Sequence, residues 1–118
     1  MADYGHVTAW GGIRTGREKQ ALAVWADAVD FYEKCKANGL IEEYDVQIFL
    51  PSGGALPTGI ITIWGSEDQI DAYARNDDRF ALSTRAGLAL DGFVESRAVR
   101  GAALLEGIGN YSTAIDAL

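Results

Sequence analysis

Two stretches of this 118-residue chain share one pattern, a strand-like run that ends in Trp-Gly and is followed by a helix-start signal. The first run closes with Thr8-Ala9-Trp10-Gly11 and the second with Thr62-Ile63-Trp64-Gly65. A hydroxyl residue with Glu or Gln three positions later follows each run, in Thr15-Gly16-Arg17-Glu18 and in Ser66-Glu67-Asp68-Gln69. This spacing is the form of a capping box. The pattern predicts two βα units built alike, although Trp is also simply common in strands.

Apolar spacing and stop signals indicate where the helices lie. In the first one, apolar residues recur at steps of three and four: Leu22, Trp25, Val29 and Tyr32. With Asn38-Gly39 as a left-handed stop, they predict a helix over about 17 to 38. The second helical stretch is broken at Asn76-Asp77-Asp78, which has the form of a new N-cap before a run from Phe80 to Leu90. A short C-terminal helix or arm is predicted within 101–118.

The remaining apolar runs, each bounded by Gly, Pro or Ser, predict four strands: Gly5 to Gly11, Ile41 to Leu50, Gly59 to Gly65 and Gly92 to Arg100. The element order is then βαββαβ. Pro51 to Pro57 joins the second and third strands as a hairpin loop. With 48% hydrophobic residues, a chain of this length can bury one core, so residues 1–118 are expected to form a single α+β domain.

Composition and charge disfavour several classes of partner and compartment. The formal net charge is −7 and the ten basic residues are scattered, so no basic stripe points to nucleic acid. No apolar run approaches the length of a membrane span, and the N-terminal residues do not have the form of a secretory signal. A single cysteine, Cys35, fits a reducing cytoplasm, and no acidic cluster at ligand spacing predicts a metal site. We therefore expect a cytoplasmic protein without a metal or other cofactor.

The βαββαβ order resembles the ferredoxin-like dimeric α/β-barrel superfamily over about residues 4–100. That superfamily includes antibiotic-biosynthesis-type monooxygenases, muconolactone isomerase-like proteins and haem-degrading enzymes. The segment Gly16-Arg17-Glu18 with Ala21-Leu22 also resembles the helix opening of small bacterial members with no assigned role. The resemblance implies a four-stranded antiparallel sheet of order 4-1-3-2, two helices on one face and a homodimer. It carries no catalytic residue over to this chain.

Period-two alternation divides each strand into a side for the helices and a side away from them. On the helix side we expect Val7, Ala9, Val46, Ile48, Ile61, Ile63, Val94, Ser96 and Ala98. On the open side we expect His6, Thr8, Trp10, Asp45, Gln47, Phe49, Thr62, Trp64, Glu95 and Arg97. Such an aromatic open face would be covered by a second copy of the chain, sheet to sheet, and the two sheets would enclose a cavity for a small molecule.

The open face supplies the candidate site. His6 is the candidate catalytic acid or base, Arg97 would bind an anionic group and Trp64 would stack on a ring. The other candidate ligand-binding residues are Trp10, Asp45, Gln47 and Thr62.

Three functions remain open at this point. The first is a cofactor-independent oxygenase or isomerase acting on a small aromatic or polyketide-like compound. The second is a non-enzymatic homodimer in which this face is only an interface. The third and weaker one is haem binding through His6, the one histidine of the chain.

Overall fold

The computed structural model describes residues 2–50 and 57–118 of the chain. Within them the strands are β1 (Tyr4–Trp10), β2 (Glu43–Ile48), β3 (Gly59–Gly65) and β4 (Val94–Val99). The helices are α1 (Glu18–Ala37), α2 (Glu67–Ala74), α3 (Asp77–Ala89) and α4 (Gly101–Asp116). Residues 51–56 of the predicted hairpin loop lie outside the described part.

The four strands form one antiparallel sheet in the order β2-β3-β1-β4. This is the predicted order 4-1-3-2, and α1, α2 and α3 cover one face of the sheet. The expected α+β class and ferredoxin-like layout are therefore confirmed. Ile41, Ile63 and Ile70 are the largest fully buried side chains, and they join the sheet to the helices that cover it.

The second and third helix starts were predicted correctly. Ser66 Oγ accepts from Gln69 N at 3.2 Å, and Gln69 Oε1 accepts from Ser66 N at 2.8 Å, which completes the capping box of α2. At the break after α2, the Asn76 side chain accepts from Arg79 N at 3.0 Å and caps α3. Each cap satisfies a backbone N–H that has no partner within the helix.

The first capping box was predicted wrongly. Helix α1 begins at Glu18 after Arg17, and no side chain caps it. Gly16, at φ +84°, makes a left-handed turn just before the helix, and Glu18 Oε1 accepts from the backbone N–H of Gly16. This turn displaces Thr15 from the N-cap position, because a left-handed residue stands between it and the first helical turn.

The predicted division of the sheet faces was wrong for β1 and β4. Trp10 pairs with Gly59 and Trp64 with Gly5, so every even-numbered residue of β1 lies beside an odd-numbered residue of β3. In the same way, His6 pairs with both Ile63 and Arg97. Residues directly opposite each other in an antiparallel pair point to the same face.

The helix face consequently carries His6, Thr8, Trp10, Ile61, Ile63, Glu95 and Arg97, whereas Val7, Ala9, Thr62, Trp64, Val94, Ser96 and Ala98 lie on the open face. Polar character misled the prediction, because His6 and Thr8 are buried beneath the helices. The two Trp-Gly units are thus alike in sequence and opposite in orientation.

Helix α4 follows β4 directly and occupies most of the segment 101–118, for which a short helix or an arm was expected. None of its residues is buried. Among the described residues, no helix combines the length and apolar character that crossing a membrane requires.

Candidate functional site

A cavity of about 270 Å³ lies between the helix face of the sheet and helices α1 and α3. Four aromatic rings form much of its wall: Trp10, Trp25, Tyr32 and Phe93. The rings of Trp10 and Trp25 meet edge to face, with centroids 6.0 Å apart. Trp10 fits here because its cross-strand partner is Gly59, where a Cβ would lie 2.5 Å from the indole ring. The local sequence therefore builds a pocket of the kind that binds flat apolar molecules.

Three residues of the cavity wall carry hydroxyl groups, the phenol Tyr32 and the aliphatic Thr8 and Ser83, and Ser83 belongs to a polar cluster at the edge of the cavity. Ser83 Oγ donates to Glu95 Oε1 at 2.7 Å. Arg79 Nη1 lies 3.2 Å from the same carboxylate oxygen and donates to Ser83 Oγ at 3.0 Å. Arg79 and Ser83 are four residues apart on α3, so they lie on the same side of that helix.

His6 completes the cluster from β1. Its Nε2 lies 3.2 Å from Glu95 Oε1, and its ring meets Tyr73 edge to face with centroids 5.4 Å apart. An ionised carboxylate can only accept, so the hydrogen of this bond belongs to Nε2. Nδ1 is buried and has no partner among the described residues. In the neutral ring, Nδ1 is therefore the atom that can take a proton.

Glu95 is held in its ionised form. Partial burial of its carboxyl would raise the pKa, but the hydrogen bonds from His6 and Ser83 and the charge of Arg79 outweigh burial and lower the pKa to about 2. Glu95 is thus a hydrogen-bond acceptor at any physiological pH, and it is too weak a base to take a proton from a substrate by itself.

Two nearby groups remain protonated instead. Burial raises the pKa of Tyr32 to about 12, and the Glu95 charge adds to the effect. Burial also raises the pKa of the Cys35 thiol to about 11, with a smaller contribution from Asp78. Cys35 is 2% exposed, so it is a packing residue rather than a nucleophile.

The structure separates the predicted site residues into two groups. Trp10 lines the cavity, and His6 lies behind its wall in the polar cluster. Arg97 lies on the same face as His6, but its Nη2 donates to Asp71 on α2 at 2.8 Å, and half of its side chain is exposed. The other four, Asp45, Gln47, Thr62 and Trp64, lie on the open face. His6, Arg97 and Trp64 are therefore near one end of the sheet but do not line a common pocket.

Trp64 has its own partner on the open face. The guanidinium carbon of Arg100 lies 3.9 Å from the centroid of the Trp64 ring. Arg100 also donates to Glu43 and to the carbonyl of Ala2. This contact joins the end of β4 to β1, β3 and β2 just before α4 begins, and it covers part of the Trp64 ring.

Sequence reasoning missed most of the cavity. Trp25 and Tyr32 were used only as apolar residues that predict the first helix, and Arg79, Ser83 and Phe93 were not considered as site residues. One signal was available, because Arg79 and Ser83 recur at helical spacing beside the apolar Leu82 and Ala86. Polar residues on the apolar side of a helix indicate a buried polar cluster.

The described residues give little support for a bound metal or haem. Among residues 2–50 and 57–118, no three His, Cys, Asp or Glu side chains are grouped to hold a metal ion. His6 is 7% exposed and its Nε2 is bonded to Glu95, so haem has no approach to it in this arrangement.

No protein-family model and no curated protein matches the sequence. Solved structures do match the fold. A dimeric ferredoxin-like protein of unknown function from Thermobifida fusca has a TM-score of 0.61 at 17% identity, covering 84% of this chain and 92% of its own. A dimeric protein of unknown function with a ferredoxin-like fold from Bacteroides fragilis has a TM-score of 0.57 at 13% identity, covering 82% and 95%.

A third match is SnoaB, a cofactor-independent oxygenase from Streptomyces nogalater, with a TM-score of 0.56 at 8% identity, covering 86% of this chain and 95% of its own. At these identities the matches establish the architecture. By its strand order and these matches, the chain has the ferredoxin-like fold.

Proposed function

We propose that this chain binds a small aromatic compound in the cavity on the helix face and catalyses a cofactor-independent oxygenation or isomerisation of it. The observation that carries the proposal is the wall of the cavity, in which four aromatic rings surround a space of about 270 Å³ and a polar cluster adjoins one edge. An apolar pocket with a few convergent polar groups is the usual form of a small-molecule site. The oxygenase activity of SnoaB, on the same fold, agrees with this reaction class.

The predicted ligand site moves in this proposal from the space between two sheets to the space beneath the helices. The sequence analysis expected the aromatic ligand-binding surface on the open face, with Trp10 and Trp64. In the structure Trp10 lines the helix-side cavity and provides aromatic surface there, whereas Trp64 stays on the open face. In an oxygenation, molecular oxygen would be the co-substrate. His6 keeps its proposed acid–base role, with Glu95 orienting the ring, and because Nδ1 is buried behind the cavity wall, the proton would have to reach it through a bridging water.

Intrinsic fluorescence provides a direct test of binding, because Trp10 and Trp25 are in the cavity wall and Trp64 is on the other face. Titration with 1-naphthol should quench the protein with a saturable curve, and a Trp64→Phe variant should retain that quenching. Oxygen uptake and product formation with hydroxynaphthalenes, without added metal, then test turnover. His6→Gln should lower turnover by roughly 10² to 10⁴ while sparing binding. A Trp signal that responds to none of these compounds would refute the proposed ligand class.

A non-enzymatic ligand-binding protein is the second candidate. The observation that favours it is the position of His6, which is not among the side chains lining the cavity. A substrate in the cavity would contact Ser83, which lines the wall, and would not contact His6, the candidate base. Saturable binding without oxygen uptake or product, in both wild type and His6→Gln, would support this second candidate over the enzyme.

We also propose that the chain forms a homodimer, as its structural neighbours do. Apart from the Arg100 side chain on Trp64, the open face of the sheet has no cover among the described residues of the chain. Four strands about 4.8 Å apart and about 20 Å long give that face a flat footprint of roughly 400 Å². A stable interface buries about 600 to 1,000 Å² per partner, so the sheet face alone is too small.

Helix α4 supplies the missing area and has a self-complementary seam. Apolar residues recur along it at alternating steps of four and three, at Leu104, Ile108, Tyr111 and Ile115, and Leu118 continues the spacing just beyond its end. This spacing forms the narrow stripe that pairs two helices, and it is exposed, with Ile108 at 56% and Tyr111 at 70%. Sixteen residues of helix add about 24 Å by 10 Å of contact, which raises the total to about 640 Å². The occupant proposed for the seam is α4 of the second copy.

Sedimentation tests the dimer and its seam together. Wild type at about 10 μM should sediment as twice the 12.7 kDa of one chain. Ile108→Glu places a charge in the seam and should weaken the dimer by at least about 100-fold, because an ionised group buried without a partner is costly. Thr113→Glu, on the opposite side of α4, should leave it unchanged. A monomeric wild type would exclude the dimer, whereas an unchanged Ile108→Glu dimer would exclude only the α4 seam.

A further inference from the structure

Ser83 stands at the boundary between the cavity and the polar cluster, and its hydrogen bonds restrict what a ligand can offer it. A hydroxyl group has one hydrogen to donate and two lone pairs with which to accept. Both neighbours of Ser83 in the cluster are fixed in their roles. Arg79 can only donate, and the ionised carboxylate of Glu95 can only accept.

The bonds to Arg79 and Glu95 use two of the three hydrogen bonds that the Ser83 hydroxyl can form. The hydrogen of Ser83 points to Glu95 Oε1 at 2.7 Å, and one lone pair accepts from Arg79 Nη1 at 3.0 Å. One lone pair remains, and Ser83 lines the cavity. A molecule in the cavity that reaches Ser83 Oγ can therefore bond to it by donating a hydrogen and not by accepting one.

We propose that Ser83 makes the cavity selective for aromatic compounds that carry a hydrogen-bond donor, namely a phenolic or enolic O–H. The selection acts against the same ring system with its oxygen methylated and against aromatic carboxylates. This inference rests on the proposed ligand site and deepens it by naming the ligand class. It also replaces the anionic ligand expected from Arg97.

The charges around the cavity support the selection against carboxylates. The two arginines nearest the site already have acidic partners, because Arg79 lies against Glu95 and Arg97 donates to Asp71 at 2.8 Å. The negative charge closest to Ser83 Oγ is the Glu95 carboxylate, which accepts its hydrogen bond. An anion in an apolar cavity would lose its hydration without gaining a cation and would be repelled by Glu95.

The expected preference for a ligand with an O–H group is modest. Ser83 keeps its bonds to Arg79 and Glu95 with any ligand, so a ligand without a donor fails to form only one further hydrogen bond. One net hydrogen bond corresponds to roughly a 10-fold difference in affinity. A methyl ether also presents a lone pair to a lone pair, so its affinity should be no better than that of the bare hydrocarbon. A carboxylate should bind more weakly still.

Four probes of one ring system test the proposal by Trp quenching and by calorimetry: 1-naphthol, 1-methoxynaphthalene, naphthalene and 1-naphthoate. Wild type should bind 1-naphthol about 10-fold more tightly than 1-methoxynaphthalene, and 1-naphthoate most weakly. Ser83→Ala should reduce the naphthol preference to within about 2-fold, whereas Thr8→Val and Tyr32→Phe, at the two other hydroxyls of the wall, should retain it.

The wild-type ranking alone can overturn the inference, even if Ser83→Ala folds poorly. Equal binding of 1-naphthol and 1-methoxynaphthalene, or tighter binding of 1-naphthoate, would refute selection by Ser83 while leaving the ligand site in place. If Thr8→Val lost the preference for 1-naphthol and Ser83→Ala kept it, Thr8 rather than Ser83 would be the selecting residue, and the inference would be wrong. If none of the four probes binds, the proposed function itself fails.

Discussion

Replacing Glu95 by alanine should lower the free energy of unfolding by about 1.5 to 3 kcal/mol, less than the roughly 3 to 5 kcal/mol of a fully buried ion pair because the Glu95 side chain is 26% exposed. Glu95 is the one carboxylate that His6, Arg79 and Ser83 all contact, at 3.2, 3.2 and 2.7 Å. The Arg79 side chain is 13% exposed, so without Glu95 its charge would have little access to water. Urea denaturation of wild type and Glu95→Ala measures the difference.

Asp27→Ala is the matched control for this variant. Asp27 accepts from Arg85 at 2.8 Å, but about half of each side chain is exposed. An exposed pair contributes little, so this control should cost less than about 1 kcal/mol. A loss in Glu95→Ala as small as that of the control would mean that the cluster does not form as described.

The pH dependence of stability gives a second check on Glu95. Its native pKa, about 2, lies below the ordinary value of 4.5, so the native state holds the carboxylate ionised more strongly than the unfolded chain does. The stability from this group is complete above about pH 4.5 and is lost as the pH falls toward 2. The difference in stability between wild type and Glu95→Ala should therefore narrow over that interval. A constant difference from pH 6 to pH 2 would contradict the lowered pKa.

The architecture was predictable because local signals determined it. The capping box at Ser66, the cap at Asn76 and the left-handed stop at Gly39 are each written in a few neighbouring residues. Together with four apolar runs they fix the element order. Few compact topologies accommodate βαββαβ with right-handed crossovers, so the sheet order followed.

The site was less predictable because it depends on register. Alternation correctly grouped His6 with Thr8 and Trp10, but it does not specify which neighbour each strand residue meets. A shift of one residue moves a whole set to the other face. The pairing of Trp10 with Gly59 sets this phase, since the indole needs a neighbour without a side chain. The space that Gly59 leaves for the Trp10 ring depends on a contact between distant segments of the chain. Alternation within a single strand does not reveal such a contact.

The cluster that accounts for the buried polar residues likewise joins three distant segments. His6 comes from β1, Arg79 and Ser83 from α3, and Glu95 from β4. Taken singly, His6 and Glu95 have the character of surface residues. Only their convergence makes burial favourable, because each supplies the partner that the others need.

Filling the cavity should abolish ligand binding without cost to the fold. Ala86 lies on α3 in the cavity wall beside Leu82 and Ser83. Ala86→Phe would occupy part of the 270 Å³ and should raise the dissociation constant of 1-naphthol by at least about 100-fold, since a ring already present excludes a second one. Filling this half-open space with an apolar ring should also leave the free energy of unfolding unchanged or raise it by up to about 1 kcal/mol.

The same substitution elsewhere on the helix separates occupancy of the cavity from a general effect of phenylalanine. Ala81 is exposed on α3, five residues earlier, so Ala81→Phe should bind 1-naphthol as wild type does and change stability by less than about 0.5 kcal/mol. Fluorescence titration and urea denaturation of both variants give the comparison. Wild-type binding by a folded Ala86→Phe would place the ligand outside this cavity. The open face of the sheet, with Trp64, would then be the next surface to test, because it carries the remaining candidate ligand-binding residues.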